Sequence, residues 1–209
     1  MELYYPCKIK DGDLEEVIKL LQNPQLDTNW QDQEDSNRTA FYVACENGLI
    51  DIVKLLLNDQ RVDVNKADSH SQTPFYGACQ NGQIEIVKLL VNDERVDVSA
   101  ADWTQATPFY IACYSGHLEV VKFLLNDERI DINKASWNGT PFFIACEKGH
   151  FEIVKLLLSD ERVNDDINKL NGNGQTPFLI ACENGHTEIV LLFLETPRGN
   201  LIIYAQQQI

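Results

Sequence analysis

The chain has 209 residues, and its hydrophobic content of 44% is ordinary for a folded protein. Its 32 acidic residues against 17 basic residues give a net charge of −15, which argues against a nucleic-acid backbone or an anionic membrane as the main partner. Solubility accounts for such a charge, and attraction of a basic partner is the alternative. The sequence contains no run of 18 apolar residues and does not begin with the pattern of a signal peptide, so we expect neither a membrane span nor a secretory leader.

The chain opens with a degenerate repeat. Residues 12–17, Gly-Asp-Leu-Glu-Glu-Val, match residues 48–53, Gly-Leu-Ile-Asp-Ile-Val, but the residues before them lack the Thr-Pro opening of the later copies. Terminal units of a repeat array present one face to water and are commonly atypical. We therefore predict that residues 1–34 form an N-terminal cap repeat, in which Trp30 has a capping role.

A ten-residue block then recurs along the chain. It reads TPFYGACQNG from Thr73, TPFYIACYSG from Thr107, TPFFIACEKG from Thr140 and TPFLIACENG from Thr176, with a weaker copy, TAFYVACENG, from Thr39. The starts lie 34, 34, 33 and 36 residues apart. A period in this range indicates a stack of small units, each of which buries its apolar face against its neighbours.

A second block follows each copy, as in EIVKLLVNDERVDVSAA from Glu85. Together the two blocks resemble the ankyrin repeat, whose signature opens Thr-Pro-Leu-His-x-Ala. Five linked copies extend the resemblance over nearly all of the chain, although Phe replaces the usual Leu, Tyr or Phe mostly replaces the His, and Cys replaces the second Ala. The resemblance implies an all-α fold, an ankyrin-repeat solenoid of stacked helix–turn–helix units with projecting β-hairpin loops.

The residues of each unit favour the same structure. A Thr hydroxyl can accept a hydrogen bond from an unpaired helix N–H, and the Pro after it has no N–H to leave unpaired. The first helix is therefore predicted from Pro74 to about Asn81 and from Pro108 to about Ser115. Glycine where that helix ends favours a left-handed cap. These glycines are Gly48, Gly82, Gly116, Gly149 and Gly185.

The repeats divide one predicted domain, residues 1–209, into six units. After the N-terminal cap repeat come four interior repeats and a C-terminal repeat with its cap, at residues 35–68, 69–102, 103–135, 136–171 and 172–209. The segment Leu201-Ile202-Ile203-Tyr204 belongs to no recognisable repeat. We expect it to fold back over the last helix as a cap. The alternatives are pairing with a second chain and the edge of a longer array.

Five of the six cysteines occupy the same position in successive repeats. Equivalent points on stacked helices lie about 8–10 Å apart, whereas a disulfide needs Cα atoms within about 7 Å. We therefore expect these residues to be small apolar core residues that stay reduced, which favours a cytoplasmic setting. They are Cys45, Cys79, Cys113, Cys146 and Cys182.

Three of these cysteines lie four residues before a histidine, and a helix would bring such residues onto one face. The histidines are His117, His150 and His186. A helix break at glycine falls between the members of each pair, and each pair offers two ligands where a structural zinc site needs four. In the ankyrin family, His is also the usual residue after that glycine, with a structural role in the turn. We expect no metal site.

Motifs of catalysis are missing as well. The sequence has no Gly-rich phosphate loop, His-Glu-x-x-His run or Gly-x-Ser-x-Gly elbow. The repeated cysteines lack an activating base, because two of the five repeats have no histidine. The acids after the second helix, at Asp59, Asp93, Asp127 and Asp160, are interpreted as repeated decoration of solvated loops. We predict that the protein is not an enzyme and has no cofactor.

Residues that vary between repeats on an exposed face are free to bind a partner. In the ankyrin family, the usual surface is concave and consists of hairpin tips and the exposed side of the first helix. Trp103 and Trp137 lie at equivalent tips of adjacent hairpins, and Tyr114 replaces a polar residue on the helix between them. Exposed aromatics are typical binding hot spots. The predicted contact residues are Trp103, Tyr114, Trp137, His70, Gln80, Asn81, Ser115, Asn138, Glu147 and Lys148.

The alternative for the two tryptophans is structural: each folds down on its neighbouring hairpin as a clasp. The sequence as a whole predicts a non-enzymatic protein–protein interaction module that presents a rigid concave surface to a protein partner. The partner is expected to have a basic surface. An enzyme inhibitor and a structural spacer or scaffold are the alternatives. We expect no nucleic acid, no membrane insertion and a monomer. The fold carries no reaction of its own, so the partner's identity lies in the surface residues.

Overall fold

The computed structural model describes residues 3, 4, 7 and 13–195, apart from the side chains of residues 164–166. Contacts between Cα atoms divide the chain into two compact units, residues 1–103 and residues 104–209. The described residues form α-helices and one 3-10 helix but no β-strand. The loops that were predicted as β-hairpins are tight turns, and the word hairpin refers to these turns below. Isolated bridges join Asp32 to Arg38 and Ser136 to Gly139.

The first unit is built from helix pairs. Its described helices are α1 (Leu14–Leu21), α2 (Ala40–Asn47), α3 (Ile50–Asn58), α4 (Pro74–Gln80) and α5 (Ile84–Val91). Helix α2 packs against α4, and α3 packs against both α1 and α5. The first helices of the repeats therefore form one row, and the second helices form another. At the N-terminal end, the ring of Trp30 lies edge-on to the ring of Tyr4, with 5.8 Å between centroids.

The second unit continues the same pattern. Its helices are α6 (Pro108–Ser115), α7 (Leu118–Leu124), α8 (Pro141–Lys148), α9 (Phe151–Ser159), α10 (Pro177–Glu183) and α11 (Thr187–Glu195), with a 3-10 helix at Glu161–Asp166. Helix α8 packs against α6 and α10, and α9 packs against α7 and α11. The predicted all-α class of stacked helix pairs is confirmed. The prediction of a single domain stays a prediction.

Local signals position the first helices as the sequence predicts. Thr107 Oγ1 accepts a hydrogen bond from the Tyr110 amide at 3.1 Å, and Thr140 Oγ1 accepts one from the Phe143 amide at 3.1 Å. At the other end of α6, Gly116 adopts a left-handed φ of 81°. The helix that carries Tyr114 is thus fixed at both ends by its own residues.

The cysteines are free thiols, and five of them lie in the core. Burial raises the pKa of Cys7 to about 12 and also raises the pKa values of the other buried thiols. Cys182 is exposed, so its predicted place in the core is wrong. The reason is position: α10 belongs to the last described helix pair, and no described pair stacks on its outer side.

The C-terminal cap predicted at residues 201–204 lies outside the described residues. On α11, Ile189 and Phe193 are buried, whereas Leu191 and Leu194 are 48% and 46% exposed. That cap stays a prediction.

The repeated acids after the second helices are not solvated decoration, and that interpretation is wrong. Asp93 accepts two hydrogen bonds from the Arg95 guanidinium, at 3.0 and 2.6 Å, and keeps 21% of its side chain exposed. Arg95 also donates to the carbonyl oxygen of Leu57 in the preceding repeat, at 2.8 Å. The carboxylate therefore orients an arginine that joins two repeats. The same Asp–Arg pairing recurs at Asp59, Asp127 and Asp160.

Candidate partner-binding surface

A short polar side chain at the start of the turn shapes two of the predicted hairpin tips. Asp68 Oδ1 accepts hydrogen bonds from the backbone amides of His70 and Gln72, at 2.8 and 2.9 Å. In the second unit, Ser136 Oγ accepts one from the amide of Asn138 at 3.1 Å. These bonds close the turn within the hairpin itself.

The tryptophan backbones are bonded to the preceding hairpin in each unit. In the first unit, the Trp103 amide donates to the carbonyl oxygen of His70 at 3.2 Å. In the second, the Trp137 amide donates to the carbonyl oxygen of Thr104 at 3.1 Å. The residues themselves are 56% and 61% exposed. Backbone anchoring with an exposed indole is compatible with partner contact, and the choice between contact and clasp stays a prediction.

Histidines fix the exposed side of the first helices in the second unit. His150 Nε2 lies 2.9 Å from the carbonyl oxygen of Tyr114, and His186 Nε2 lies 2.8 Å from the carbonyl oxygen of Glu147. Since a carbonyl oxygen can only accept, each ring nitrogen carries the hydrogen. The His after the glycine was expected to serve its own turn, and it also bonds to the preceding repeat.

Lys148 links two of the predicted contact residues. Its Nζ lies 4.7 Å from the centroid of the Tyr114 ring and 3.2 Å from Glu147 Oε1. Tyr114 is 42% exposed, and Ser115 beside it is half-buried. Separate contacts were predicted at these positions, but the structure brings Tyr114, Glu147 and Lys148 into one cluster. No sequence signal marks this contact, since it joins two different repeats.

The first-unit residues form no such cluster. The His70 side chain is 52% exposed, and its Nδ1 lies 3.6 Å from Oδ2 of the buried Asp68. Gln80 is half-buried. Asn81 is exposed, and its Nδ2 donates to the carbonyl oxygen of Gly77 at 3.0 Å, so this amide serves its own helix end. Through the bond described above, His70 and Trp103 are neighbours along the tips.

Sequence reasoning did not single out a charged pair at the start of the first unit. Arg38 Nη1 lies 3.1 Å from Glu46 Oε2, and the guanidinium lies 5.1 Å from the centroid of the Tyr42 ring. Burial raises the pKa of Glu46, and the charge of Arg38 opposes that rise. The available signal is that Arg38 holds the position before Thr39, where later repeats have uncharged residues.

The described part of the chain offers neither a metal site nor a membrane span. There, no group of three or more His, Cys, Asp or Glu side chains is placed to hold a metal ion. None of the described helices has the length and apolar character needed to cross a bilayer. Two of the histidines that had suggested metal pairs, His150 and His186, direct Nε2 to carbonyl oxygens instead.

Comparison with protein families agrees with this geometry. A family model described as ankyrin repeats (3 copies) matches residues 6–102, 66–136 and 94–168, and one described as ankyrin repeats (many copies) matches residues 161–194. No curated protein matches the chain. Ankyrin repeats are generally protein–protein interaction modules and are typically non-enzymatic. The matches cover most of the sequence, and the chain belongs to the ankyrin-repeat family.

Proposed function

We propose that this chain binds another protein through its hairpin tips and the exposed side of its first helices, without catalysing a reaction. The main proposed contact residues are Trp103 in the first unit and Tyr114 and Trp137 in the second. The observation that carries the proposal is that both tryptophans are more than half exposed while their backbones are bonded to the preceding hairpin. Anchored, exposed aromatics are the residues that most often dominate the energy of an interface.

Preorganisation supports this function. Backbone hydrogen bonds hold the tips, and histidines hold the carbonyl groups of Tyr114 and Glu147. Little backbone freedom is left to lose when a partner docks, and loss of such freedom is a main cost of association. The proposal includes the other predicted contact residues, which are His70, Gln80, Asn81, Ser115, Asn138 and Lys148.

Charge favours a partner with a basic surface. The arginines of the Asp–Arg pairs neutralise their own aspartates. Because the net charge of −15 already includes these arginines, the remaining carboxylates still make the protein acidic. Such a field accelerates encounter with a basic protein and opposes nucleic acid. A monomeric, cytoplasmic protein fits this proposal.

Affinity capture with the full chain tests the proposal. The wild type should retain one stoichiometric partner, and the W103A/W137A double variant should lose it. Each tryptophan anchor is expected to contribute about 2 kcal/mol or more to binding. The control is N47A, because Asn47 is exposed at a generic copy of the helix position. Asn184 is a poorer control, since its Nδ2 donates to the carbonyl oxygen of Glu147 at 3.0 Å.

Melting temperatures of the same variants separate contact from clasp. Unchanged melting with lost capture supports the binding role. A large melting loss with intact capture would show that the tryptophans clasp the hairpins. Inhibition of the captured partner's activity by the wild type would identify an enzyme inhibitor, and absence of any stoichiometric partner would favour a spacer.

A further inference from the structure

Lys148 covers an aromatic face that would otherwise be open to a partner. It lies at the end of α8 and reaches back to α6, where its Nζ is 4.7 Å from the centroid of the Tyr114 ring. The same ammonium lies 3.2 Å from the carboxylate of Glu147. A ring face and a carboxylate around one ammonium are the two features that favour a cationic side chain.

The Lys148 side chain is less exposed than the lysine side chains paired on the second helices. Lys148 keeps 34% of its side chain in solvent, whereas Lys54, Lys88 and Lys122, on the second helices, keep 56%, 46% and 49%. The equivalent positions in the other repeats hold Asn47, Asn81, Ser115 and Asn184, so the positive charge is particular to this repeat.

The repeats of Tyr114 and Glu147 lack a polar pairing that two other repeats show. In those two repeats, the residue before the helix-capping Thr pairs with this helix position: Arg38 Nη1 lies 3.1 Å from Glu46, and Gln175 Nε2 donates to Glu183 at 2.6 Å. In the repeats of Tyr114 and Glu147 that residue is Ala106 or Gly139, neither of which has a polar side chain. Lys148 instead contacts Tyr114 and Glu147.

The two side chains extend from fixed points. His150 holds the carbonyl of Tyr114, and His186 holds the carbonyl of Glu147, at 2.9 and 2.8 Å. These bonds fix the backbone positions from which the ring and the carboxylate extend, while the long Lys148 side chain can move away into water at small cost.

We propose that Tyr114 and Glu147 form a subsite for a lysine or arginine side chain of the protein partner, and that Lys148 occupies this subsite until the partner displaces it. The inference rests on the proposed binding function and specifies the chemistry of the contact. A cation over an exposed ring and a surface ion pair are each weak, so the internal occupant exchanges readily. Arginine is the better competitor, because its planar guanidinium stacks on the ring and pairs with the carboxylate through two donors.

Fluorescence anisotropy with a labelled peptide of alternating arginine and glycine tests the subsite on the full chain. K148A should bind this peptide about fivefold more tightly than K122A, the factor that corresponds to a cation–π contact at an exposed site. K122A is the matched control, since Lys122 Nζ also lies beside a carboxylate, 2.8 Å from Glu119, but on a second helix. Both variants change the net charge equally. In the Y114L background the difference between K148A and K122A should become smaller, because only the carboxylate part of the subsite remains.

A second measurement reports directly whether Lys148 lies over the Tyr114 ring. In NMR spectra, the ring current of Tyr114 should shift the ε-methylene protons of Lys148 upfield, and the shift should be lost in Y114L and on saturation with the arginine peptide. Weaker binding by K148A than by K122A, or a shift that persists at saturation, would overturn the subsite. That result leaves the protein-binding proposal intact, because capture of the partner by the tryptophans is measured separately.

Discussion

His150 Nε2 donates a hydrogen bond to the carbonyl oxygen of Tyr114 at 2.9 Å, so a side chain in one repeat holds the backbone of the repeat before it. In the first unit, Gln83 Nε2 donates in the same way to the carbonyl oxygen of Glu46 at 3.0 Å. A glutamine amide and a histidine ring thus serve one structural role. Chemical denaturation of substituted variants can measure its contribution.

The substitution H150A should lower the free energy of unfolding by about 0.5–1.5 kcal/mol, because it removes one hydrogen bond. H150Q should cost clearly less, since the chain itself uses glutamine at the equivalent position. Urea unfolding of both variants gives the comparison. Equal losses would show that packing of the ring, and not its N–H, is what stabilises the repeat.

Gly116 is required for two separate reasons. Its φ of 81° is left-handed, and a Cβ built there would lie 2.6 Å from the His150 ring. Gly185 has a similar φ of 74°, but no described atom lies within 4 Å of its Cβ position. We expect G185A to cost about 1–2 kcal/mol from backbone strain alone. G116A should cost at least about 1 kcal/mol more, because an added clash must be relieved. Thermal unfolding of both variants tests the difference, and equal costs would refute the clash.

The Asp–Arg pairs predict how stability depends on pH. Hydrogen bonds from arginine hold the pKa values of Asp59, Asp93 and Asp127 below the usual range. A carboxyl whose pKa is lower when folded contributes stability above its unfolded pKa of about 3.9, and the contribution is lost as pH falls through the folded pKa. Urea unfolding between about pH 6 and pH 2 should therefore show falling stability below about pH 4.

The variant D93N checks the source of that loss. It should make the decrease in unfolding free energy below about pH 4 less steep. At neutral pH it should lower that free energy by less than about 1 kcal/mol, because solvent screens a pair at the surface. If stability decreases as steeply at low pH in D93N as in the wild type, other groups cause the loss of stability.

Thiol reactivity follows the burial of the cysteines. In the native protein at pH 8, a disulfide reagent should modify Cys182 first, since it is the exposed cysteine among those described. Cys7, Cys45, Cys79, Cys113 and Cys146 should react slowly, because burial raises their pKa values and blocks access. C182S should remove the fast phase. After denaturation without reductant, all six thiols should titrate, and fewer would reveal a disulfide.

The sequence by itself determined the repeat and its helices, because those features depend on neighbours along the chain. The hydroxyl of Thr107 reaches an amide three residues later, and Gly116 ends the helix through its own φ. A period near 34 residues then implies stacking, since one helix pair cannot bury its own apolar face. Equivalent positions in a repeat share one local structure, so the sequence also predicted that Trp103 and Trp137 lie in loops and that Tyr114 and Glu147 lie on first helices.

Tertiary structure alone decided which side chains meet across repeats. Lys148 lies over Tyr114, and Asp93 orients Arg95 toward the carbonyl of Leu57, although sequence reading treated the first pair as separate contacts and Asp93 as decoration. Cys182 follows Ala at the same repeat position as its buried counterparts, and its exposure likewise depends on what stacks beside it. The physical reason is common to all three: burial and pairing are properties of the space between repeats, and residues more than thirty positions apart share that space only after the helices pack.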